Sequence, residues 1–552
     1  MQGSFKDFAE TCERVKATSS KIEKVAILAE YLRKLADPDL RIAVTFLTGR
    51  AFPKGDPRDP NVGYSTIASI ILEITGADEL QLYETYKKYG DLGETIFHML
   101  SKRAQAQLLM EPLTLQRVYR AFDKIASISG AKAATMRSTI LRGLLLSATP
   151  LEAKYIVKVL TSELRIGAIE GLIEEAIASA FGEPLERVRN ASLAINDLGE
   201  VAVLAKQKQL HNVKVTPLKP AGFMLAETAQ TPEEVIEYFK KPVLADFKYD
   251  GARAQIHKKS STIRIFSRRL EEVSAFFPEI VEAVKKISGT LILDGEILPM
   301  RDGKPLPFQV LQRRLHRKKI TRRLLEEIPL HLFLYDVLYY GDSPVVDKPL
   351  AERRQILEQL SLPDNVHLSE MHEVKDVASL RTLFEKSKAE GFEGLVVKDP
   401  GSPYILGRRG KHWLKLKKEL DTLDVVIVGA EYGHGKRAGI LSDYIFAVRD
   451  DEGRFRVIGK AYSGLTDEEM LELSERLKSM VIKDLGMRVL VRPEIVIEVA
   501  FDGIQKSDRH DSGFALRFPR IKRLRPDKGP DEIDTLKRVE GIYRRQMLYE
   551  TS

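Results

Sequence analysis

Lys248 is followed by Tyr249, Asp250, Gly251, Ala252 and Arg253, directly after the apolar stretch Val243-Leu244-Ala245. The run sets a primary amine at a strand end beside a carboxylate and a guanidinium. An amine is a nucleophile only without its proton. The ordinary lysine titrates near ~10.4, so at neutral pH about one molecule in a few thousand carries the lone pair, a handicap of roughly 4 to 5 kcal/mol. A nearby cation and partial desolvation both disfavour the ammonium form, and Arg253 is in place to be that cation. The competing reading is a surface hairpin, with Asp250-Gly251 as a tight turn and solvated charges beside it.

The elements around this run fall into three sections. Residues 1 to about 205 read mainly as helices: Ser20-Lys21-Ile22-Glu23 is a capping box leading Ile22, Val25, Ala29, Leu32 and Leu35 at helical spacing. Thr149-Pro150-Leu151-Glu152 is a second box, with proline at the first helical position. The polar stretch Lys206 to Asn212, then Pro217 and Pro220, sets a boundary near 215. Strands then dominate, at 263–266, 291–294, 332–335, 394–397 and 413–416, with a helical stretch at 351–360 among them. Beyond 421 come β-rich runs at 425–428, 444–448, 455–458 and 495–499, interrupted by a helix over 467–481. The expected fold is multidomain: an all-α domain over 1–215, an α+β domain over 216–421 and a C-terminal OB-fold β-barrel over 422–552.

A chain of 552 residues is too long for one core. Lys plus Arg exceed Asp plus Glu by 87 to 79, a mildly basic balance compatible with a polyanionic partner. Clustering says more: seven cations fall within Arg313–Arg323, six within Arg408–Lys418 and five within Arg517–Arg525, against the plain reading of solvated charged faces. The single cysteine, Cys12, excludes an intramolecular disulfide and a multi-cysteine zinc site. The N-terminus has no basic start followed by an apolar core, and no stretch approaches eighteen uninterrupted apolar residues. A soluble protein of a reducing cytoplasm is expected.

The hexamer resembles K-x-D-G-x-R, the signature of the covalent nucleotidyltransferases: ATP-dependent DNA ligases, RNA ligases and mRNA capping enzymes. Further motifs follow in the order and approximate spacing of an ATP-dependent DNA ligase of the archaeal and eukaryotic replicative type, over nearly the whole chain. Phe266-Ser267-Arg268-Arg269 resembles the segment whose arginine, here Arg268, contacts the nucleotide and the 5'-phosphate. Leu293-Asp294-Gly295-Glu296 resembles the motif whose glutamate holds ribose or metal, and Tyr335-Asp336 the segment whose ring stacks on adenine. Glu393 to Lys398 resembles the motif whose glutamate supports the metal. Trp413-Leu414-Lys415-Leu416-Lys417 resembles the one whose two lysines neutralise the α-phosphate, with Arg409 matching an upstream arginine. Arg525-Pro526-Asp527-Lys528 resembles the C-terminal motif that orients pyrophosphate. Taken singly these fragments have plain readings: a strand and turn at 293–296, a core aromatic at Tyr335, and the wet face of an edge strand at 413–417.

The resemblance implies a three-step reaction. Lys248 takes AMP from ATP with release of pyrophosphate, AMP passes to the 5'-phosphate at a nick, and the 3'-hydroxyl displaces it. Charge developing on the phosphoryl oxygens calls for fixed cations, with Lys415, Lys417, Arg253 and Lys398 as candidates. Mg2+ (or Mn2+) calls for hard oxygen ligands, with Glu296 and Glu393 as candidates. In the family the C-terminal barrel moves between adenylation and sealing. Pro150 to Lys158 followed by Leu164-Arg165-Ile166-Gly167 resembles the family's DNA-binding domain, which implies nicked duplex DNA as partner and roles in replication, repair and recombination; Gly167 also reads as a helix cap. Gln105, Leu108 and Leu109 stand where archaeal ligases carry a sliding-clamp docking motif, with leucines for the usual aromatics. A monomer is expected.

The chain departs from the family in places. Asp246 replaces the glutamate positioned near the adenine amino group, Tyr335 replaces phenylalanine, and Ser127 to Met136 lacks the usual Gly-Ser-rich run. A capping guanylyltransferase shares Lys248 and the barrel but leaves the helical domain unexplained. An RNA ligase and a non-enzymatic DNA-binding scaffold with a decayed site also stand as alternatives, the last opposed by Lys248, Glu296, Glu393, Lys415 and Lys417 together.

Overall fold

A computed structural model of the chain describes all residues except 1–2, 103–110, 131, 302, 307, 316, 318–319, 391, 408, 418–420, 435–436, 438 and 552. Two compact units result: one of residues 1–85, 92–387 and 392–417, the other of 86–91, 388–391 and 418–552.

The first unit opens with helices, from Phe5–Ala17 to Leu198–Lys206. The Thr149 box is complete. Its hydroxyl accepts from the Glu152 N–H (3.3 Å), the Glu152 carboxylate accepts from the Thr149 N–H (2.8 Å), and the helix Pro150–Leu160 follows, a cap worth about 1 kcal/mol. The Ser20 box is only half made, because the Glu23 carboxylate turns to the Thr18 hydroxyl. The helix it starts, Lys21–Arg33, buries Ala29 and Leu32 of the expected face, with Leu35 buried just beyond it, but departs from that face at its first turn. Ile22 is 84% exposed, while Lys24 lies inside beside Ile27, Leu28, Tyr31 and Leu32. The Lys24 ammonium donates to the carbonyls of Ile166 (3.2 Å) and Gly167 (3.1 Å), which satisfies it. Gly167, with φ of 70°, belongs to the loop before helix Glu170–Phe181 and does not cap helix Pro150–Leu160.

The end of the passage from helices to strands, residues 220–224, is buried, and a buried backbone must find partners. Gln255 accepts from the Ala221 N–H (2.8 Å) and donates to the Ala221 carbonyl (3.1 Å). His257 Nδ1 accepts from the Leu218 N–H (3.0 Å), which assigns the ring proton to Nε2, donating to Gln255 Oε1 (2.8 Å).

Twelve strands follow in the first unit: β1 (Leu225–Ala229), β2 (Val243–Phe247), β3 (Ala252–Lys259), β4 (Thr262–Ser267), β5 (Leu291–Arg301), β6 (Lys304–Pro305), β7 (Leu330–Tyr340), β8 (Ser343–Pro344), β9 (Val366–Leu368), β10 (Met371–Val374), β11 (Gly394–Lys398) and β12 (Arg409–Lys417). One sheet has the order β1-β12-β11-β2-β10; the other runs β4-β3-β5-β7-β8, with β6 on β5 and β9 on β7. Most pairs are antiparallel; β1 with β12 and β7 with β9 are parallel. Ile256, Ile265, Leu293, Leu332 and Leu334 fill the core of the second sheet, and Val243, Ala245, Leu395, Val397 and Leu414 that of the first.

The second unit is strand-rich around one core that includes Leu423, Phe446, Ile458, Val489, Ile497 and Phe501. Its strands are β13 (Asp421–Tyr432), β14 (Leu441–Arg449), β15 (Phe455–Ala461), β16 (Val481–Asp484), β17 (Arg488–Val491), β18 (Val496–Phe501), β19 (Gly503–Lys506), β20 (Phe514–Arg517) and β21 (Arg520–Leu524), with helix Asp467–Lys478 between β15 and β16. Strand β13 pairs with β14, with β18 through its first half and with β17 through its second, and the register breaks between Ile427 and Gly429. Such a bulge bends a strand and lets one long strand serve a curled sheet.

Candidate active site

The Lys248 run is the crossing between the two sheets of the first unit. Strand β2, before it, lies between β11 and β10, and β3, after it, lies between β4 and β5. These strands do not pair with each other, so Asp250-Gly251 is no hairpin turn. The crossing is held tightly: Lys248 N–H donates to the Gly394 carbonyl (2.8 Å), and Glu393 N–H to the Lys248 carbonyl (3.1 Å). Gly251 lies so close to β5 that a Cβ would stand 2.5 Å from the Ile297 carbonyl oxygen and 2.9 Å from Glu296 Cγ. A Cβ at Gly394, φ 138°, would meet the Leu416 oxygen at 2.1 Å. Both glycines let a backbone approach that a side chain would block.

Around the lysine, charges from both sheets converge. Lys248 Nζ is 2.6 Å from Glu393 Oε2, and Lys417 Nζ is 3.0 Å from the same oxygen. Burial alone would raise the Glu393 carboxyl, but Lys248 and Lys417 override it and hold it down at about 2. Glu296, on β5, behaves oppositely: burial pushes its carboxyl up to about 8, with Asp294 and Glu393 adding to the rise and Lys248 and Arg253 opposing it. Arg253 is paired through two hydrogen bonds with Asp294, Nε to Oδ1 at 3.2 Å and Nη2 to Oδ2 at 2.7 Å. Tyr404 OH donates to the same Asp294 oxygen (2.6 Å) and accepts from the Met224 N–H (3.1 Å). Burial disfavours the charge on Arg253, and the Asp294 carboxylate outweighs it. The cation sharing a carboxylate with Lys248 is therefore Lys417, while Arg253 answers to Asp294.

Tyr335 marks an aromatic end of the site. Its ring lies 5.6 Å from the Arg253 guanidinium and 5.0 Å from Lys398 Nζ, and Phe223 lies 4.5 Å from the same guanidinium. Lys398 is buried and ion-paired with Asp246, whose other oxygen accepts from the Ser369 hydroxyl (3.2 Å). Lys398 is thus bound at the Tyr335 end, with a carboxylate already on it. Beneath, Arg353 and Asp336 form a fully buried pair (2.7 and 2.9 Å) that fixes β7.

The remaining expected residues fall in several places. Lys415 stands two residues from Lys417 on β12, and period-two alternation puts both on one face. That strand lies between β1 and β11, so it is not the edge strand of the plain reading. Arg268 is exposed in the turn after β4. The backbone of Arg409 opens β12. Asp250 is half-buried in the crossing. Arg525, Asp527 and Lys528 belong to the second unit, where Arg525 Nη1 and Lys528 Nζ both bind Asp424. Gln105, Leu108 and Leu109 lie outside the described residues. Sequence reasoning missed Asp294, Tyr404 and Ser369. Asp294 was visible as the carboxylate two residues before Glu296; Tyr404 and Ser369 carry no local signal.

For a divalent ion, no cage of three or more His, Cys, Asp or Glu side chains exists among the described residues. Two carboxylates, Glu296 and Glu393, share one space with cations, and burial leaves Glu296 short of positive charge. That donor set fits an ion bound by one or two carboxylates together with substrate phosphates and water. No helix among the described residues is long and apolar enough to cross a membrane.

Comparison with known proteins places this geometry. Residues 4–178 match the DNA ligase N terminus, 223–417 the ATP dependent DNA ligase domain and 437–528 the ATP dependent DNA ligase C terminal region. A probable DNA ligase of Koribacter versatilis is 44% identical over 567 residues, covering 98% of this chain and 97% of its own. The DNA ligase of Archaeoglobus fulgidus is 38% identical, covering 98% and 99%. Among solved structures, one named "Pmar-Lig_PreS3" shares the fold with a TM-score of 0.57 at 18% identity, over 94% of this chain and 99% of its own.

Proposed function

The chain belongs to the ATP-dependent DNA ligases, enzymes that seal nicks through an adenylate, and from that premise we propose that Lys248 is the residue that carries AMP. The observation that carries this reading is the placement of Lys248 at the crossing of two sheets, 2.6 Å from a carboxylate that Lys417 also holds. Its amine attacks the α-phosphorus of ATP, forming a phosphoramidate, and pyrophosphate leaves. Lys415 and Lys417 neutralise the phosphoryl oxygens, where fixed cations are worth most as charge develops. Tyr335 offers the ring for adenine and Asp246 the carboxylate for its amino group, with Ser369 and Lys398 fixing Asp246. Arg253, anchored by Asp294, and the exposed Arg268 serve the nucleotide and the nick's 5'-phosphate, and Arg409 joins them from the start of β12. Glu296 and Glu393 would hold Mg2+ or Mn2+, which supplies charge neutralisation at the phosphates. Gly251 and Gly394 keep the crossing close, and Asp250 completes it.

The domains proposed are a DNA-binding domain over 1–215, an adenylation domain over 216–421 and an OB-fold domain over 422–552, the last supported by the curled sheet on β13. Arg525, Asp527 and Lys528 orient pyrophosphate during self-adenylation. The enzyme acts as a monomer on chromosomal nicks in the cytoplasm, a reading supported by the presence of every motif on one chain. A sliding clamp engages Gln105, Leu108 and Leu109, and clamp binding that survives Leu108→Ala with Leu109→Ala rejects this.

One gel tests the core. ATP labelled at the α-phosphate gives an adduct stable to alkali and labile to acid, absent in Lys248→Ala, with nick sealing lost in parallel. A wild-type adduct in that variant overturns the assignment.

A further inference from the structure

Asp424 lies near the start of β13, seven positions after Lys417. Both of its oxygens accept from Arg525 Nη1, each at 2.9 Å, and Oδ2 also accepts from Lys528 Nζ at 2.7 Å. Asp527 takes the other edge of the same guanidinium, at Nε (2.9 Å) and Nη2 (2.7 Å). The cluster thus sets two cations against two carboxylates. Asp424 and Arg525 are each 14% exposed, so the pair has lost most of its water and its geometry is well defined. Lys528 gives Asp424 one of its three ammonium hydrogens, and the guanidinium likewise keeps N–H groups beyond those it shares.

The structural tie at this point does not use the Asp424 side chain. Asp424 N–H donates to Asp534 Oδ2 (2.8 Å), and Asp534 N–H donates to the Asp424 carbonyl (2.9 Å). Those bonds survive a change of side chain. What such a change removes is the one group that both cations of the C-terminal motif share.

We propose that Asp424 is a positioning residue for self-adenylation: its carboxylate holds Arg525 and Lys528 in the relative geometry in which they orient the departing pyrophosphate, and it takes no part in sealing. This rests on the reading of Arg525 and Lys528 given above. Asp424 touches neither nucleotide nor DNA; it acts through the two cations. Losing it frees the Lys528 side chain and leaves the mostly buried Arg525 guanidinium held by Asp527 on one edge alone.

The test uses the full chain in two assays, single-turnover adenylation with labelled ATP and sealing of a pre-adenylated nick. Asp424→Asn lowers the adenylation rate at saturating ATP by about 10- to 100-fold, the usual cost of losing a group that orients a functional one, and a loss in rate at saturation is one confined to the transition state. The half-saturating ATP and the sealing rate stay within about threefold, and Asp424→Glu restores part of the adenylation rate. Three results overturn the proposal: equal loss in both assays while Lys528→Ala stays selective, an adenylation rate that is unchanged, or one that rises. If Lys528→Ala itself loses both steps equally, the reading of the C-terminal motif falls and the proposal with it.

Discussion

Two charged clusters, one in each unit, differ in how far they are satisfied. Around Lys248 the carboxylates are pulled apart, Glu393 held down at about 2 by two lysines and Glu296 pushed up to about 8 by burial. Around Asp424 every charge has a partner: Arg525 is held on two edges, and Lys528 closes the set. Buried charges that lack full compensation cost stability and persist where function needs them. The Lys248 cluster is arranged for incoming charge. The Asp424 cluster is complete as it stands, and on the proposed reading it offers pyrophosphate two cations already set in place.

The sharpest way to break this contrast is to remove a charge from the unsatisfied side. Lys417→Ala takes away one of the two cations on Glu393, and adenylation falls by about 10² to 10³, the usual range for losing one preorganised stabiliser of developing charge. The adduct-forming rate measures it; a loss under about fivefold would remove Lys417 from the phosphate electrostatics. On the satisfied side the effect is smaller and confined to one step. Lys528→Ala slows adenylation by about 10- to 100-fold and largely spares the sealing of pre-adenylated nicks. Equal loss in both assays rejects a role restricted to pyrophosphate.

Five strands of the first unit and four of the second were legible as β-rich runs between turn residues, and the Thr149 cap was legible because its partner lies three residues away. The members of the site were legible as motifs, yet their pairings were not. Arg253 reads locally as a neighbour of Lys248, but it binds Asp294, 41 positions on, and Asp294 in turn receives Tyr404 from 110 positions further. Lys398 reads as a phosphate cation and binds Asp246, 152 positions before it. Such partners depend on which strands become neighbours, and no local spacing encodes that. The helix Lys21–Arg33 departs from its pattern at Ile22 for a related reason: two backbone carbonyls at 166 and 167 accept from a buried Lys24, while Ile22 is left in water.

The smallest effect belongs to the histidines that burial lowers in the first unit. Burial pushes the His257 ring down to about 3, with Arg264 adding to the effect, and burial also lowers His331 and His367 in the same unit. In the second unit only His510 is resolved as lowered among the described histidines. A histidine whose folded value lies below its unfolded one near ~6.5 takes its proton first in the unfolded chain. Its contribution is therefore intact above that pH and is lost as pH falls toward the folded value. For His257 the loss between pH 7 and 5.5 is about 1 kcal/mol, and the other two add in the same direction. Glu296 acts oppositely in the same unit, because a carboxyl raised to about 8 binds its proton first in the folded chain and gains stability as pH falls; the histidine effect is therefore read by calorimetry as the difference between the full chain and its His257→Gln variant. His257→Gln lowers stability at pH 7, because the Leu218 N–H loses its imidazole acceptor, yet it removes the part of the acid response that His257 contributes. A slope unchanged in that variant places the acid sensitivity elsewhere and removes His257 as a titrating group.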